Sequence, residues 1–192
     1  MKRKEEIEKL LVVVDMVNGF IKQGAMADND IARIIPRIEN LIERFQSENE
    51  GVAFIKDTHY ENSTEFKKFP AHCIKGTSES EVVSELKPYE EGSLSYEKNS
   101  TSTMFAPGFM NDIDSMKRLR EVIITGCCTD ICVLNLAIPL VNYFDQTNRD
   151  VNVSVISDAV ETYDAPYHSR NEYNAMALKL MKQAGVRVEG GI

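Results

Sequence analysis

Basic charge is in short supply in this 192-residue chain, long apolar runs are missing, and histidine occurs only three times. Lys and Arg number 22 against 30 Asp and Glu, a net charge of −8. No basic patch interrupts that excess, so nucleic acid and anionic membrane are poor partners. The apolar run Leu10 to Val14 is too short for a membrane span or the core of a signal peptide. Met1-Lys2-Arg3-Lys4 carries the charge of a signal's opening, but Glu5, Glu6 and Glu8 follow it. A cytoplasmic protein is expected. The four cysteines do not make a disulfide scaffold, and Cys127 and Cys128, as chain neighbours, cannot easily pair. Free thiols in a reducing compartment are the natural reading.

What is present is ordinary for a globular chain. With 43% hydrophobic and 27% charged residues, one domain over residues 1–192 can bury a sizeable core. Repeats, low-complexity segments and linkers are missing. A homo-oligomer is compatible with this composition.

Apolar, β-branched runs at Leu10–Val14, Val52–Lys56, Glu121–Thr125 and Val151–Ile156 read as strands, with Leu94–Lys98 alternating and a last short strand at Val186–Val188. Between them, Ile31, Ile34, Ile35, Ile38, Leu41, Ile42 and Phe45 recur at helical spacing. Asn29 or Asp30 could cap that helix, and Pro36 predicts a kink or a start near itself. A short helix is expected over Glu79–Leu86 and another near Asn111–Arg118. The helix after Leu134 is expected to fade near Tyr143, Pro139 being an awkward interior residue. A final helix is predicted from His168 to Gln183. Tyr60 to Thr77 sustains no period and reads as a long loop of the kind that often carries function. Alternating strands and helices predict a three-layer α/β/α sandwich around a mostly parallel sheet of about six strands.

In such sheets ligands gather at the carboxyl ends of strands. Asp15, Asp57, His59, Lys98, the Cys127–Cys132 turn and Asp158 all fall at those ends. Three cysteines in six residues, between a buried strand and a helix, suggest a nucleophile. Cys132 would stand in the helix's first turn, where the macrodipole lowers a thiol pKa. A free thiol, with a pKa of about 8.5, still needs a base or a cation nearby. Asp15 could accept its proton and return it to a leaving amine, and Lys98 could stabilise the charged cluster.

Asp57 and His59, two apart at a strand end, point to one side of the chain. His72, brought back by the loop, completes a two-histidine, one-carboxylate set suited to Zn, Mn or Fe, with Glu65 as a supplementary ligand or support. A structural zinc site built from Cys73, Cys127, Cys128 and Cys132 fits less well, because adjacent cysteines break the usual ligand spacing.

These residues carry a resemblance. Asp15-Met16-Val17-Asn18-Gly19-Phe20 resembles D-x-Q-N-D-F, the opening motif of the isochorismatase-like cysteine hydrolases, with Val and Gly for Gln and Asp. Asp57-Thr58-His59 resembles their D-x-H metal motif, and Gly126 to Val133 their G-x-x-T-D-x-C-V nucleophile motif. Phe69-Pro70-Ala71-His72-Cys73-Ile74-Lys75-Gly76-Thr77 is similar to W-P-x-H-C-x-x-G-T of the nicotinamidases (pyrazinamidases), with Phe for Trp. The likeness spans about Leu10 to Val188. It implies that Cys132 is the nucleophile, Asp15 the acid and base, and Lys98 the third triad member. Asp57, His59, His72 and Glu65 would then serve one divalent metal, zinc foremost. The metal would hold the ring nitrogen of nicotinamide, Phe20, Phe69 and Phe105 would wall the ring, and the products would be nicotinate and ammonia, in NAD salvage. The resemblance further implies a cis peptide between Cys127 and Cys128, with the N–H groups of Cys128 and Cys132 facing the developing oxyanion. Two rivals stay open. One is a metal-free hydrolase of isochorismate, a carbamoylated amine or another amide. The other is a non-catalytic protein that binds zinc or answers to redox state.

Overall fold

The computed structural model describes residues 3–190. Its six strands are β1 (Lys9–Val14), β2 (Gly51–Asp57), β3 (Leu94–Lys98), β4 (Glu121–Cys127), β5 (Asn152–Glu161) and β6 (Arg187–Glu189). The α-helices are α1 (Asn18–Ile21), α2 (Ile35–Ser47), α3 (Lys87–Glu90), α4 (Phe109–Ser115), α5 (Leu134–Thr147) and α6 (Arg170–Gln183). The strands form one sheet in the order β3-β2-β1-β4-β5-β6, and each neighbouring pair is parallel.

Two-residue periodicity sorts the central strands into two cores. Leu10, Val12 and Val14 of β1, with Ala53 and Ile55 of β2, face Phe109, Ile113, Leu136, Leu140, Phe144 and Met181 of α4, α5 and α6. Leu11, Val13, Val52 and Phe54 face the other way, onto Ile35, Ile38, Leu41, Ile42 and Phe45 of α2. Each such side chain contributes roughly 1.5–3 kcal/mol of burial. A strand covered on both faces has to be apolar throughout, and that is what made β1 legible.

The chain builds β1, moves out through β2 to β3, then crosses back to lay β4 on the other flank of β1. The carboxyl ends of β1 and β4 therefore meet at the switch point of the sheet, where crossovers leave in opposite directions and open a crevice. Gly126 makes the approach possible. Its φ is +106°, and a Cβ there would stand 2.0 Å from the Val14 carbonyl oxygen. Only glycine fits.

Several elements differ from expectation for tertiary reasons. A six-residue 3₁₀ stretch, Asn29–Ile34, precedes α2, and Asp28, not Asn29 or Asp30, caps it by accepting the Asp30 N–H at 3.0 Å. The α-helix itself begins at Ile35, with Pro36 in its first turn. Residues 79–86 form no α-helix. Val82 bridges to Val17 instead, and the Val83 N–H donates to the Met16 carbonyl at 3.0 Å. α5 runs through Pro139 to Thr147, because the carbonyl of Asn135 that proline leaves free accepts the Ser102 hydroxyl at 2.9 Å. β5 continues past Ile156 to Glu161, so Asp158 lies inside a strand and pairs with Arg37 at 3.3 Å, away from the strand-end crevice.

Candidate active site

Three buried side chains surround the ammonium of a fourth. Asp57 and Lys98 end β2 and β3 and are register partners. Lys98 Nζ lies 2.9 Å from Asp57 Oδ1, 2.9 Å from Asp15 Oδ2 and 3.7 Å from Cys132 Sγ. Asp15 follows β1 in the left-handed region, at φ 51°, with its N–H donating to the Ile55 carbonyl at 3.0 Å. That turn aims its carboxylate across the end of the sheet. The Lys98 ammonium and the Cys132 thiol both meet that carboxylate, which places it to exchange a proton with the sulfur.

Cys132 sits in a π-helical turn, Thr129–Val133, two residues ahead of α5 rather than inside its first turn. The extra residue of a π turn moves a side chain off the regular helical face, a device common at functional sites. The peptide between Cys127 and Cys128 is cis, and the Cys127 thiol donates to the Asp15 carbonyl at 3.2 Å.

Charge and burial set the protonation pattern. Burial raises the Asp15 carboxyl to about 6, with the nearby Asp57 charge adding to the rise and Lys98 opposing it. Burial also penalises Asp57, but the Lys98 ammonium beside it holds that carboxyl well below the usual range. Burial pushes the Cys132 thiol well above its ordinary value, Lys98 resisting and Asp15 reinforcing. The dipole-lowered thiolate expected from the sequence gives way to a thiol beside a carboxylate able to deprotonate it. Two carboxylates on one lysine are driven in opposite directions, one toward exchanging a proton and the other toward staying ionised.

The adjoining group is Asp57, His59, Glu65 and His72, all buried, with one donor atom of each within 4.8 Å of the others. His59 Nε2 and His72 Nε2 both face Asp57 Oδ2, at 3.1 and 3.2 Å. The outer nitrogens are already committed. His59 Nδ1 donates to Asn99 Oδ1 at 2.8 Å, and His72 Nδ1 to the Pro70 carbonyl at 2.7 Å. In those tautomers two imidazole lone pairs and a carboxylate point at one another, an arrangement that a cation resolves. The donor set fits a divalent metal.

A cavity joins the two groups. Cys128, Cys132, Asp57, Glu65 and His72 line it, together with Phe20, Phe69, Met26, Ile131 and Thr101. The Phe20 and Phe69 rings stand 5.4 and 6.3 Å from that of His72. Phe105 is not among these residues. It is 79% exposed on a 3₁₀ turn, and the expectation that it walls a ring is corrected. Asn99, Met26, Thr101 and Ile131 were missed in the sequence. Only Asn99 carried a signal, as the polar residue directly after the strand-end lysine. The departure at position 19 also has a cause: a Cβ on Gly19 would stand 2.5 Å from Cys73 Sγ and 3.2 Å from Glu79 Cβ.

A parallel α/β/α sandwich with an Asp-Lys-Cys cluster and a metal-competent group at its switch point has the architecture of the isochorismatase-like hydrolases. Residues 9–190 match the isochorismatase domain, and the chain belongs to that family. It is 28% identical to nicotinamidase 1 of Arabidopsis thaliana, over 94% of this chain and 82% of that protein. Among solved structures, pyrazinamidase of Pyrococcus horikoshii in complex with zinc superposes with a TM-score of 0.77 at 25% identity, covering 96% of this chain and 99% of that one. N-carbamoylsarcosine amidase of Thermoplasma acidophilum superposes with a TM-score of 0.76 at 26% identity, covering 96% of each chain.

Proposed function

We propose that the protein is a metal-dependent amidohydrolase that converts nicotinamide to nicotinate and ammonia through a thioester on Cys132. One observation carries the reading: Lys98 joins the thiol, the available base Asp15 and the metal-group anchor Asp57 in a single buried cluster. Nicotinamidase and zinc-bound pyrazinamidase relatives support the substrate class.

Asp57, His59, Glu65 and His72 would hold a divalent ion, zinc first and Mn or Fe as alternatives. When bound, the ion supplies a Lewis acid for a ring nitrogen. Phe20 and Phe69 flank the ring and exclude water. Asp15 takes the Cys132 proton, the sulfur attacks the carboxamide carbon, and the N–H groups of Cys128 and Cys132 face the oxyanion. Asp15 then hands the proton to the departing ammonia. It next deprotonates the water that cleaves the thioester. Lys98 keeps the cluster from accumulating negative charge as the thiolate forms. The nicotinate produced is suited to resynthesis of NAD in the cytoplasm.

The test is ammonia release from nicotinamide, with and without chelator, alongside Cys132→Ala. Release that persists at the parent rate in Cys132→Ala sinks the thioester route. Undiminished release from metal-free protein points to a metal-free amidase, of the kind that acts on carbamoylated amines.

A further inference from the structure

One buried histidine has no part in this chemistry, yet it is tied to the turn that carries Cys132. His168 is 4% exposed, in the loop between β5 and α6. Its imidazole lies between two phenol rings, with centroids 3.8 Å from Tyr163 at an interplanar angle of 11° and 3.7 Å from Tyr173 at 27°. The two faces fix its plane. Its edges are fixed as well: Nδ1 is 3.1 Å from the Tyr163 carbonyl, and Nε2 is 2.9 Å from Asp130 Oδ2. Both partners are acceptors, so the ring is held at both edges.

Asp130 is the second residue of the π turn and stands two residues before Cys132. Its carboxylate does not line the cavity. Its other oxygen, Oδ1, accepts the hydroxyl of buried Thr162 at 2.6 Å. The loop that supplies Thr162, Tyr163 and His168 is itself closed by paired bonds, Ala165 N–H to the His168 carbonyl at 3.0 Å and His168 N–H to the Ala165 carbonyl at 2.9 Å. Both carboxylate oxygens of one turn residue are therefore held by a braced loop that leaves the end of β5, the strand next to β4. Cys128 and Ile131, on either side of Asp130, line the cavity.

We infer that Asp130 and His168 form a positioning pair that sets where the Cys132 turn stands against Lys98 and Asp15. The inference deepens the proposed function, since it assumes that Cys132 is the reacting sulfur. An open π turn has fewer internal restraints than an α-helix, and misplacement by about 1 Å can cost a hundredfold in rate. Lys98 is the group that resists the upward push on the thiol, whereas Asp15, Asp57 and Cys128 add to it. A turn that drifts from Lys98 loses that resistance.

The experiment compares the parent with His168→Phe, which keeps an aromatic ring but loses both edge contacts, and His168→Gln, which restores a donor toward Asp130. All three are purified with metal bound. Alkylation of Cys132 by iodoacetamide is followed by peptide mass across pH, and kcat and KM for nicotinamide are measured alongside. In His168→Phe the half-alkylation pH is expected to rise by about one unit. Its kcat is expected to fall by about a hundredfold, with KM and metal content held, and His168→Gln to recover most of both. Alkylation and kcat of His168→Phe at parent values overturn the pair, as does His168→Gln behaving no better than His168→Phe. If His168→Phe does not fold, Thr162→Val, which removes the other bond to Asp130, is read by the same two parameters against the parent. Alkylation needs no substrate. A shifted half-alkylation pH in a protein that releases no ammonia therefore overturns the nicotinamide reading and leaves the pair standing.

Discussion

Lys98 Nζ lies 2.9 Å from a carboxylate oxygen of Asp57, its register partner at the ends of neighbouring parallel strands. Because the same ammonium reaches Asp15 and Cys132, it neutralises charge on both sides of the crevice. Replacing Lys98 with Met leaves two buried carboxylates without their cation. The expected loss is about 3–5 kcal/mol of stability at pH 7, read by denaturant unfolding of metal-free protein, together with loss of ammonia release. Stability equal to the parent would show that the cluster carries little net energy.

Asp15 predicts a pH signature of opposite sign. Its carboxyl is raised to about 6 in the fold, from an ordinary 3.8. The native state therefore binds more protons than the unfolded chain between those values, and this group costs stability as pH rises through that window. Asp15→Asn should melt several degrees above the parent at pH 7. The gain should vanish near pH 4, in thermal scans of the metal-free protein.

In the proposed reaction the same carboxyl has to be ionised to receive the thiol proton. On the acid side, kcat/KM for nicotinamide is expected to fall with a midpoint near pH 6. A midpoint near 4 would point to a different base.

Asn99 accepts from His59 Nδ1 and so keeps the Nε2 lone pair directed at the metal group. Asn99→Ala should weaken zinc binding by about 10–100-fold in competition with a chelator, while melting of the metal-free protein stays close to the parent. Unchanged zinc affinity would exclude the tautomer role.

Gly126 leaves no room for a side chain against Val14. Gly126→Ala combines a left-handed backbone with a main-chain collision, so a loss of more than about 3 kcal/mol is expected by chemical denaturation.

Much of this site was legible because its residues sit where strands end. β1, β2 and β4 announced themselves through apolar runs that only a doubly covered parallel strand requires; Asp15 and Asp57 followed from the ends of β1 and β2, and Lys98 from the end of the alternating β3. The features that escaped depend on contacts remote in sequence. Pro139 lies inside α5 because a hydroxyl from Ser102 replaces the missing partner, and residues 79–86 gave up a helix to pair with the α1 region. The thiol's protonation followed tertiary burial and not the local dipole. Phe105 had the chemistry of a pocket wall, but nothing in its neighbourhood said which way the turn would face.

The return from β3 to β4 partitions the chain unevenly. Asp15, Asp57, His59, Glu65, His72 and Lys98 all precede it, whereas Cys132 alone follows it. The proposed base, lysine and metal group thus lie on one segment and the proposed nucleophile on another, together with Cys128 and Ile131 of the cavity wall, while Asn99 and Thr101 stand just past the end of β3. A crossover between Thr101 and β4 would leave every strand whole and exchange the turn that carries Cys128, Ile131 and Cys132 as one piece.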